Sequence, residues 1–158
     1  MAAVIHIQAR LGSTRLPGKV LYQLGSRRIL GWVIKRAQPA EAGEDMILAI
    51  GDRPENEAIV EWCNRNQIKY YIGPEQNLLL RHIGAAKKMN SDPIVRITGD
   101  CPFVPPSEID RVVEEHKQNN ARYTTNVADE MPIGTAVDVL DRDVLTELDE
   151  LGDTHPVR

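Results

Sequence analysis

The sequence predicts an α/β fold, in which a mostly parallel, twisted sheet carries helices on both faces to give three layers. Short runs rich in β-branched residues alternate with amphipathic helical patterns along most of the chain. Strand and helix units that follow one another in this way form parallel sheets, because the crossover connection is right-handed. With 158 residues and a hydrophobic fraction of 42%, the chain fits a single domain, residues 1–158, around one core.

The elements follow in order along the chain. Four apolar runs predict parallel strands: "AVIHI" (3–7), "MILAI" (46–50), "IKYYI" (68–72) and "PIVRI" (93–97). Helical patterns lie between and after them: "RILGWVIKRA" (28–37), "RPENEAIVEWCNRN" (53–66), "QNLLLRHIGAAKKM" (76–89) and "PSEIDRVVEEHKQ" (106–118). The last of these predicts Ser107 as N-cap, with Asp110 at the reciprocal capping position. The final third predicts strands in "ARYTTNV" (121–127) and "TAVDVL" (135–140), then a helix in "RDVLTELDEL" (142–151).

Composition narrows the class of protein. The formal net charge is −4, and the cations are scattered, which disfavours a protein that binds nucleic acid or a membrane surface. The N-terminus lacks the apolar stretch of a signal peptide, so we expect a cytoplasmic location. The two cysteines, Cys63 and Cys101, and the four histidines show no metal-ligand spacing, and we expect His6 and His116 to be structural.

Residues that follow the parallel strands form the first list of site candidates, because ligands of such sheets bind beyond the carboxyl ends of the strands. The list contains Arg10, Gly51, Asp52, Gly73, Gly99 and Asp100. Glycines that allow close backbone approach, with carboxylates and a cation, suit a phosphorylated ligand and a metal ion. Asp52 has a second interpretation, as the N-cap of the next helix. Asp100 also has one, as a turn residue before "CP".

The loop "QARLGSTRLPGKVL" (8–21) is neither a Walker A loop nor a dinucleotide fingerprint. Five residues separate Gly12 from Gly18, Val20 follows Lys19, and a G-x-G-x-x-G pattern is missing. The loop can nevertheless present backbone N–H groups and hydroxyls around Gly12, Ser13 and Thr14, with positive charge from Arg10, Arg15 and Lys19. We interpret it as a phosphate-binding loop that suits a triphosphate; the alternative is a surface loop with solvated cations.

The same residues resemble a known family. "IQARLGSTRLPGKVL" is similar to the opening signature of the cytidylyltransferases that activate acidic sugars, the acylneuraminate and 3-deoxy-manno-octulosonate enzymes, and most similar to the branch called spore coat polysaccharide biosynthesis protein F. "LAIGDRPENEAI", "GPEQNLLLRH" and "VRITGDCPFVPPSEID" resemble further family segments in the same order. The resemblance implies a nucleotide-diphospho-sugar transferase-like, Rossmann-like fold.

It also implies a chemistry and a set of site residues. CTP would react with a sugar, with Mg²⁺ as cofactor, to give a CMP-sugar and pyrophosphate for cell-surface polysaccharide synthesis. The implied catalytic residues are Arg10, Lys19 and Asp100, and Asp100 would hold the metal. The implied nucleotide-binding residues are Ala9, Arg10, Leu11, Gly12, Ser13, Arg15, Lys19, Gly73, Thr98 and Asp100, and the implied sugar-binding residues are Arg81 and Asp138. For Asp138, an acidic residue on the exposed face of an edge strand is the alternative.

The chain departs from the family at its end, "GDTHPVR", where the family continues through a segment with a second metal-binding aspartate and much of a dimer interface. We therefore expect a C-terminally shortened form. His155 and Arg158 are weak candidates for site residues. A homodimer is one assembly that the resemblance allows. Two functions stay open. One is the sugar cytidylyltransferase; the other is a nucleotide- or sugar-binding form without turnover that acts in an assembly. A nucleotidyltransferase that uses another NTP is a third possibility.

Overall fold

The computed structural model describes residues 3–43, 45–127 and 131–152. The strands are β1 (Val4–Ala9), β2 (Gln23–Leu24), β3 (Arg27–Arg28), β4 (Asp45–Gly51), β5 (Tyr70–Gly73), β6 (Ile94–Thr98), β7 (Tyr123–Thr125) and β8 (Asp138–Leu140). The α-helices are α1 (Ile29–Ala37), α2 (Glu57–Asn66), α3 (Leu78–Met89), α4 (Pro106–Gln118) and α5 (Arg142–Glu150). Among the residues so described, no helix has the length and apolar character needed to cross a membrane.

Six strands form one mixed sheet in the order β5-β4-β1-β6-β8-β7. The pairings β5–β4, β4–β1 and β1–β6 are parallel, whereas β8 is antiparallel to both of its neighbours. The expectation of a mostly parallel sheet is therefore confirmed, with an antiparallel pair at one side. The remaining strands, β2 and β3, form a separate hairpin. Because the four parallel strands point the same way, their carboxyl ends meet at one edge of the sheet.

Helices cover both faces of the sheet, as expected. On one face, buried side chains of α1, α2 and α4 pack with alternate residues of β1 and β6 in a single apolar cluster, which includes Ile7, Leu30, Ile59, Ile97 and Ile109. On the other face, α3 and α5 contribute to two smaller clusters. The strands between these layers read as nearly continuous apolar runs because both of their faces are covered.

The bounds predicted for the helix at 106–118 are confirmed, but its predicted N-cap is wrong. Helix α4 begins at Pro106 with Pro105 in the capping position, so Ser107 lies inside the first turn and caps nothing. Proline suits the first helical position because its missing N–H would have no partner there. The Asp110 carboxylate does not cap the helix either, since its Oδ1 accepts a hydrogen bond from the Ala42 N–H at 2.8 Å. Asp110 therefore ties α4 to the loop that precedes β4.

Candidate functional site

A cavity of about 460 Å³ lies at the carboxyl edge of the parallel strands. Three segments line it: the end of β1 with the loop that follows, the start of α3 with the loop before it, and the end of β6. The lining residues are Gln8, Ala9, Arg10, Ser13, Thr14, Arg15, Lys19, Val20, Glu75, Gln76, Leu78, Arg81, Thr98, Gly99 and Asp100. Most of the residues predicted for the nucleotide site are among them.

Backbone hydrogen bonds fix the shape of the loop after β1. The Leu11 carbonyl accepts from the Ser13 N–H at 2.8 Å and from the Gly18 N–H at 2.9 Å, which closes the loop on itself. Gly18 has a φ of 75°, a left-handed conformation that favours glycine. A 3₁₀ turn, Lys19–Leu21, follows, and the buried Val20 anchors it in the apolar cluster. The closed loop and this anchor place Lys19 at the cavity.

Lys19 and Asp100 form an ion pair across the cavity. Both side chains remain partly accessible, Lys19 to 28% and Asp100 to 32%. Burial raises the pKa of Asp100, but the hydrogen bond and positive charge of Lys19 outweigh it, and the net result is a lowered pKa. Asp100 is thus a carboxylate at neutral pH. The loop after the first strand and the carboxylate after the fourth parallel strand therefore meet at this cavity.

A second ion pair joins Arg10 to Glu75, with 3.6 Å between Nη1 and Oε1. The two partners differ in exposure, since 59% of the Arg10 side chain is accessible and only 6% of the Glu75 side chain. Asn56 holds Glu75 in place, because Nδ2 donates to Oε2 at 2.9 Å while Oδ1 accepts from the Leu11 N–H at 2.8 Å. The buried carboxylate is therefore linked to the backbone of the loop after β1 through a single amide.

Sequence reasoning missed Glu75. Its signal was available, because an acidic residue two positions after the end of a parallel strand belongs with the other site candidates. Gly51 makes room for it: a Cβ at that position would lie 1.7 Å from Oε2 of Glu75. Asp52 Oδ1 accepts a hydrogen bond from the Glu75 N–H at 2.9 Å. The interpretation of Asp52 as an N-cap is wrong, since Arg53 precedes the next helical turn and makes no side-chain cap.

Arg81 supports the loop between β5 and α3. Its Nε donates to the Pro74 carbonyl at 3.1 Å, and Nη2 donates to the Glu75 carbonyl at 2.9 Å. The residue is buried, and burial lowers the pKa of the guanidinium. Arg81 nevertheless lines the cavity, so its predicted contact with a sugar stays a prediction. Gly73 packs against Tyr71 and Arg81, and with Leu11 and Gly12 it lies outside the cavity lining.

Asp138 lies on β8, next to the edge strand β7, and it is buried outside the cavity lining. Its Oδ2 accepts from Nη1 of Arg96 at 2.6 Å, and its Oδ1 accepts from the Tyr123 hydroxyl at 2.8 Å. The alternative interpretation, an exposed acid on an edge strand, is wrong because β7 covers that side of β8. The proposed sugar contact of Asp138 is untested by these contacts. His155 and Arg158 lie outside the described residues.

Cys101 contacts the site without the character of a nucleophile. The Thr98 hydroxyl donates to Sγ at 2.8 Å, and burial is the main cause that raises the pKa of the thiol. A thiol held protonated is a weak nucleophile.

The donor set at Asp100 suits a divalent cation that also binds phosphate. Among residues 3–43, 45–127 and 131–152, no group of three or more His, Cys, Asp or Glu side chains could enclose a metal. Mg²⁺ does not require such a cage, since it keeps several waters and takes one or two carboxylates with substrate phosphates. A single accessible carboxylate at a cation-lined cavity therefore fits magnesium better than a structural metal.

Comparison with known proteins identifies relatives of this chain. The sequence profile of the cytidylyltransferase family matches residues 3–151. The spore coat polysaccharide biosynthesis protein SpsF of Bacillus subtilis (strain 168) is 30% identical over 149 residues, which cover 92% of this chain and 61% of SpsF. A 3-deoxy-manno-octulosonate cytidylyltransferase of Chloroherpeton thalassium (strain ATCC 35110 / GB-78) is 31% identical over 123 residues, 77% of this chain and 48% of that protein.

A solved structure confirms the fold. A cytidylyltransferase from Leptospira borgpetersenii serovar Hardjo-bovis (strain JB197) superposes with a TM-score of 0.89 at 31% identity, over 96% of this chain and 65% of that one. The architecture is that of the nucleotide-diphospho-sugar transferase structures. The chain spans about half to two thirds of the length of these relatives. On the evidence of the profile match, the similarity to SpsF and the superposition, the chain belongs to the cytidylyltransferase family.

Proposed function

We propose that the chain transfers a cytidylyl group from CTP to a hydroxyl of a sugar, and releases pyrophosphate. The observation that carries this proposal is the meeting of Lys19 with Asp100 in a cavity whose loop also supplies Arg10 and Arg15. In the reaction, the sugar oxygen forms a bond to the α-phosphorus, the bond from that phosphorus to the pyrophosphate oxygen breaks, and the hydroxyl proton is lost to solvent.

The residues of the chain act on this reaction through charge and position. Arg10, Arg15 and Lys19 neutralise the triphosphate, and the N–H groups and hydroxyls around Ser13 grip its oxygens. Asp100 would hold Mg²⁺, which when bound would supply charge stabilisation to the phosphate oxygens. Positioning of two reactants in line can contribute about 7–11 kcal/mol to the lowering of the barrier. A site of this kind therefore works by grip and geometry.

The relatives support the choice of substrates. The family profile indicates CTP as the nucleotide, and a relative is named for 3-deoxy-manno-octulosonate, which makes an acidic sugar the first acceptor to test. Another relative is named for spore coat polysaccharide biosynthesis, and on that basis we assign the product to cell-surface polysaccharide synthesis. Arg81 and Asp138 are the residues that we assign to the acceptor side.

Lys19→Ala is the variant that tests the nucleotide site. We expect it to weaken the binding of CTP with Mg²⁺ by roughly 10- to 100-fold, because a hydrogen bond to a charged group contributes about 1.5–3 kcal/mol. The matched control is Lys69→Ala, which removes another lysine that is paired with a carboxylate, Asp45, outside the cavity lining. Titration calorimetry of both variants with each of the four NTPs measures affinity and base preference together.

Asp100→Asn tests the chemistry. We expect CTP to bind and pyrophosphate release in the presence of a sugar acid to fall to background, because the neutral amide is a poor magnesium ligand. Equal affinities of Lys19→Ala and Lys69→Ala for CTP would remove the proposal, as would sugar-dependent pyrophosphate release that survives in Asp100→Asn.

A second candidate is nucleotide binding without turnover, in an assembly with a second copy or a fuller relative. The observation that favours it is that, among the described residues, the cavity lining has two carboxylates, and one of them, Glu75, is already held by Arg10 and Asn56. Asp100 is the carboxylate that remains for a metal ion. This candidate predicts CTP binding that depends on Lys19 but no pyrophosphate release with any sugar acid. Turnover by the purified chain would exclude it.

A further inference from the structure

We propose that Gln8 determines acceptor specificity: its side-chain amide N–H group donates a hydrogen bond to an oxygen atom of the sugar that receives the cytidylyl group. The inference rests on the proposed function and goes beyond it, because it names the hydrogen-bond donor that the cavity offers to the acceptor sugar. Gln8 is the last but one residue of β1, and it lines the cavity beside Thr98.

Arg96 fixes the orientation of the Gln8 amide. Its Nε–H donates to Oε1 of Gln8 at 2.9 Å. A guanidinium only donates, so the atom that faces it must be the oxygen of the carboxamide. Arg96 is itself held by Asp138, whose other oxygen binds the Tyr123 hydroxyl. The chain Tyr123–Asp138–Arg96 therefore sets the position of Oε1, and the amide nitrogen must point elsewhere.

A chain of buried histidines reaches the same oxygen from the other side. Contacts of 3.0 Å, 3.3 Å and 3.5 Å join Ser91 to His6, His6 to His82, and His82 to Oε1 of Gln8. Burial lowers the pKa of both histidines, so each ring is neutral and carries one N–H. One arrangement satisfies every contact: the Ser91 hydroxyl donates to His6 Nε2, His6 Nδ1 to His82 Nδ1, and His82 Nε2 to Gln8.

The amide nitrogen of Gln8 is left for a ligand. Within the described ranges, Nε2 makes no hydrogen bond, and no buried side-chain nitrogen or oxygen atom lacks a partner. The nitrogen is therefore not enclosed, and Gln8 is one of the residues that line the cavity. Contacts with Arg96 and His82 hold the oxygen, so the amide nitrogen is the end of the side chain that stays available to a ligand. A ligand that places an oxygen atom there gains a hydrogen bond that does not require the amide to reorganise.

The location of Gln8 favours the acceptor over the triphosphate. Leu11 and Val20 anchor the phosphate loop in the apolar cluster on the α1 and α4 side of the sheet. The Gln8 side chain lies on the opposite side, where it meets His82 of α3. The loop already supplies three cations for phosphate, whereas a neutral amide N–H suits a hydroxyl or carboxylate oxygen of a sugar. We therefore assign Gln8 to the second substrate.

The test uses Gln8→Glu, with Gln76→Glu as matched control. The first variant keeps an oxygen towards Arg96, so the fold is retained, and it replaces the donor with a second oxygen. The control makes the same change at Gln76, which also lines the cavity and whose side chain makes no hydrogen bond within the described residues. With CTP and Mg²⁺ saturating, we expect the KM of Gln8→Glu for 3-deoxy-manno-octulosonate or N-acetylneuraminate to rise at least about tenfold. The affinity for CTP with Mg²⁺ should change less than about threefold.

A second measurement reports on the contact directly. The side-chain amide resonances of Gln8, identified by their loss in Gln8→Glu, should shift when the sugar acid joins the CTP complex and not when CTP alone is added. An unchanged sugar affinity in Gln8→Glu, a loss of CTP affinity instead, or resonances that ignore the sugar would overturn the inference. Wild-type protein that binds CTP but no sugar acid would also overturn it. Failure of wild-type protein to bind CTP would instead remove the proposed function, and the inference with it.

Discussion

The two faces of strand β1 are built from opposite kinds of residue. Ile5 and Ile7 point to one side, into the apolar cluster beneath α1 and α4, and both are almost fully buried. His6 and Gln8 alternate with them and point to the other side, into hydrogen bonds with Ser91, Arg96 and α3. The two faces share a backbone, so a difference between them reflects side-chain chemistry alone.

The comparison separates stability from orientation. Apolar burial is favourable and has no preferred direction, so the α1 and α4 face can stabilise the sheet without fixing any single atom. Hydrogen bonds contribute little net stability, but they specify which atom points where. The α3 face carries the directed groups, and it ends at the cavity. We therefore expect substitutions on the first face to change unfolding, and substitutions on the second to change unfolding less and ligand selection more.

The largest effect should come from the apolar face. Ile7→Ala removes a fully buried side chain from the centre of the cluster. We expect a loss of about 2–5 kcal/mol in the free energy of unfolding, measured by urea denaturation. The control is Ile133→Ala, because Ile133 is fully exposed and should change stability by no more than about 0.5 kcal/mol. Equal losses in the two variants would contradict the assignment of stability to this face.

The polar face should make the free energy of unfolding depend on pH. Burial lowers the pKa of His6 from 6.5 to about 4 and also lowers that of His82. Below pH 6.5 an unfolded chain binds protons that the folded chain does not, so stability present above this pH is lost as the pH falls. Each histidine should remove roughly 1.4 kcal/mol of stability per pH unit within this window. Urea denaturation between pH 7.5 and 5 measures the slope.

Two variants isolate this histidine effect. His6→Asn should reduce the slope by about half, because one of the two buried rings no longer titrates in the unfolded chain. Ile7→Ala should be less stable at every pH but keep the slope. Carboxylates with a lowered pKa, such as that of Glu108 with its hydrogen bond from Arg111, act in the same direction only near pH 4.5 and below. A flat stability profile between pH 6.5 and 5 would show that the rings are protonated in the fold.

A smaller loss is expected when the anchor of Gln8 is removed. Arg96→Met leaves the largely buried carboxylate of Asp138 with Tyr123 as its remaining partner. Loss of one member of a buried pair can cost 3–5 kcal/mol, but the Arg96 side chain is 31% accessible, so we expect about 1–3 kcal/mol. The double variant Arg96→Met with Asp138→Leu should recover most of this loss in urea denaturation. A double variant less stable than Arg96→Met would mean that Asp138 stabilises the fold through other contacts.

The sequence predicted the apolar face better than the polar one. The period of the β-branched runs located all four parallel strands, and the order of strands placed Lys19 and Asp100 at one edge, because these depend on local patterns and on one rule of chain topology. The contacts of Gln8 depend instead on the register between β1 and β6, which brings residues 88 positions apart within 2.9 Å. No local pattern encodes such a pairing.

The features that the sequence did not predict correctly each have a physical cause. His6 and His82 show no metal-ligand spacing, and no local pattern predicts a contact between them, yet they stack with ring centroids 5.5 Å apart, because a strand and a helix meet there. Ser107 has the chemistry of an N-cap, but the preceding pair of prolines starts the helix earlier. The position of Glu75 after a parallel strand was a local signal, but its burial and its contact with Asn56 exist only once β4 and β5 are paired.

The smallest effect in stability tests the loop that belongs to neither face. Gly18 and Gly25 have φ angles of 75° and 62°, and a Cβ at either position meets no heavy atom closer than 3.6 Å. Gly18→Ala and Gly25→Ala should therefore each lose about 1 kcal/mol in urea denaturation through backbone strain alone. Only Gly18 precedes Lys19 and closes the loop on Leu11, so only Gly18→Ala should weaken CTP binding in calorimetry. Equal losses of CTP affinity in both variants would mean that general strain, rather than the position of Lys19, sets the affinity of the loop for phosphate.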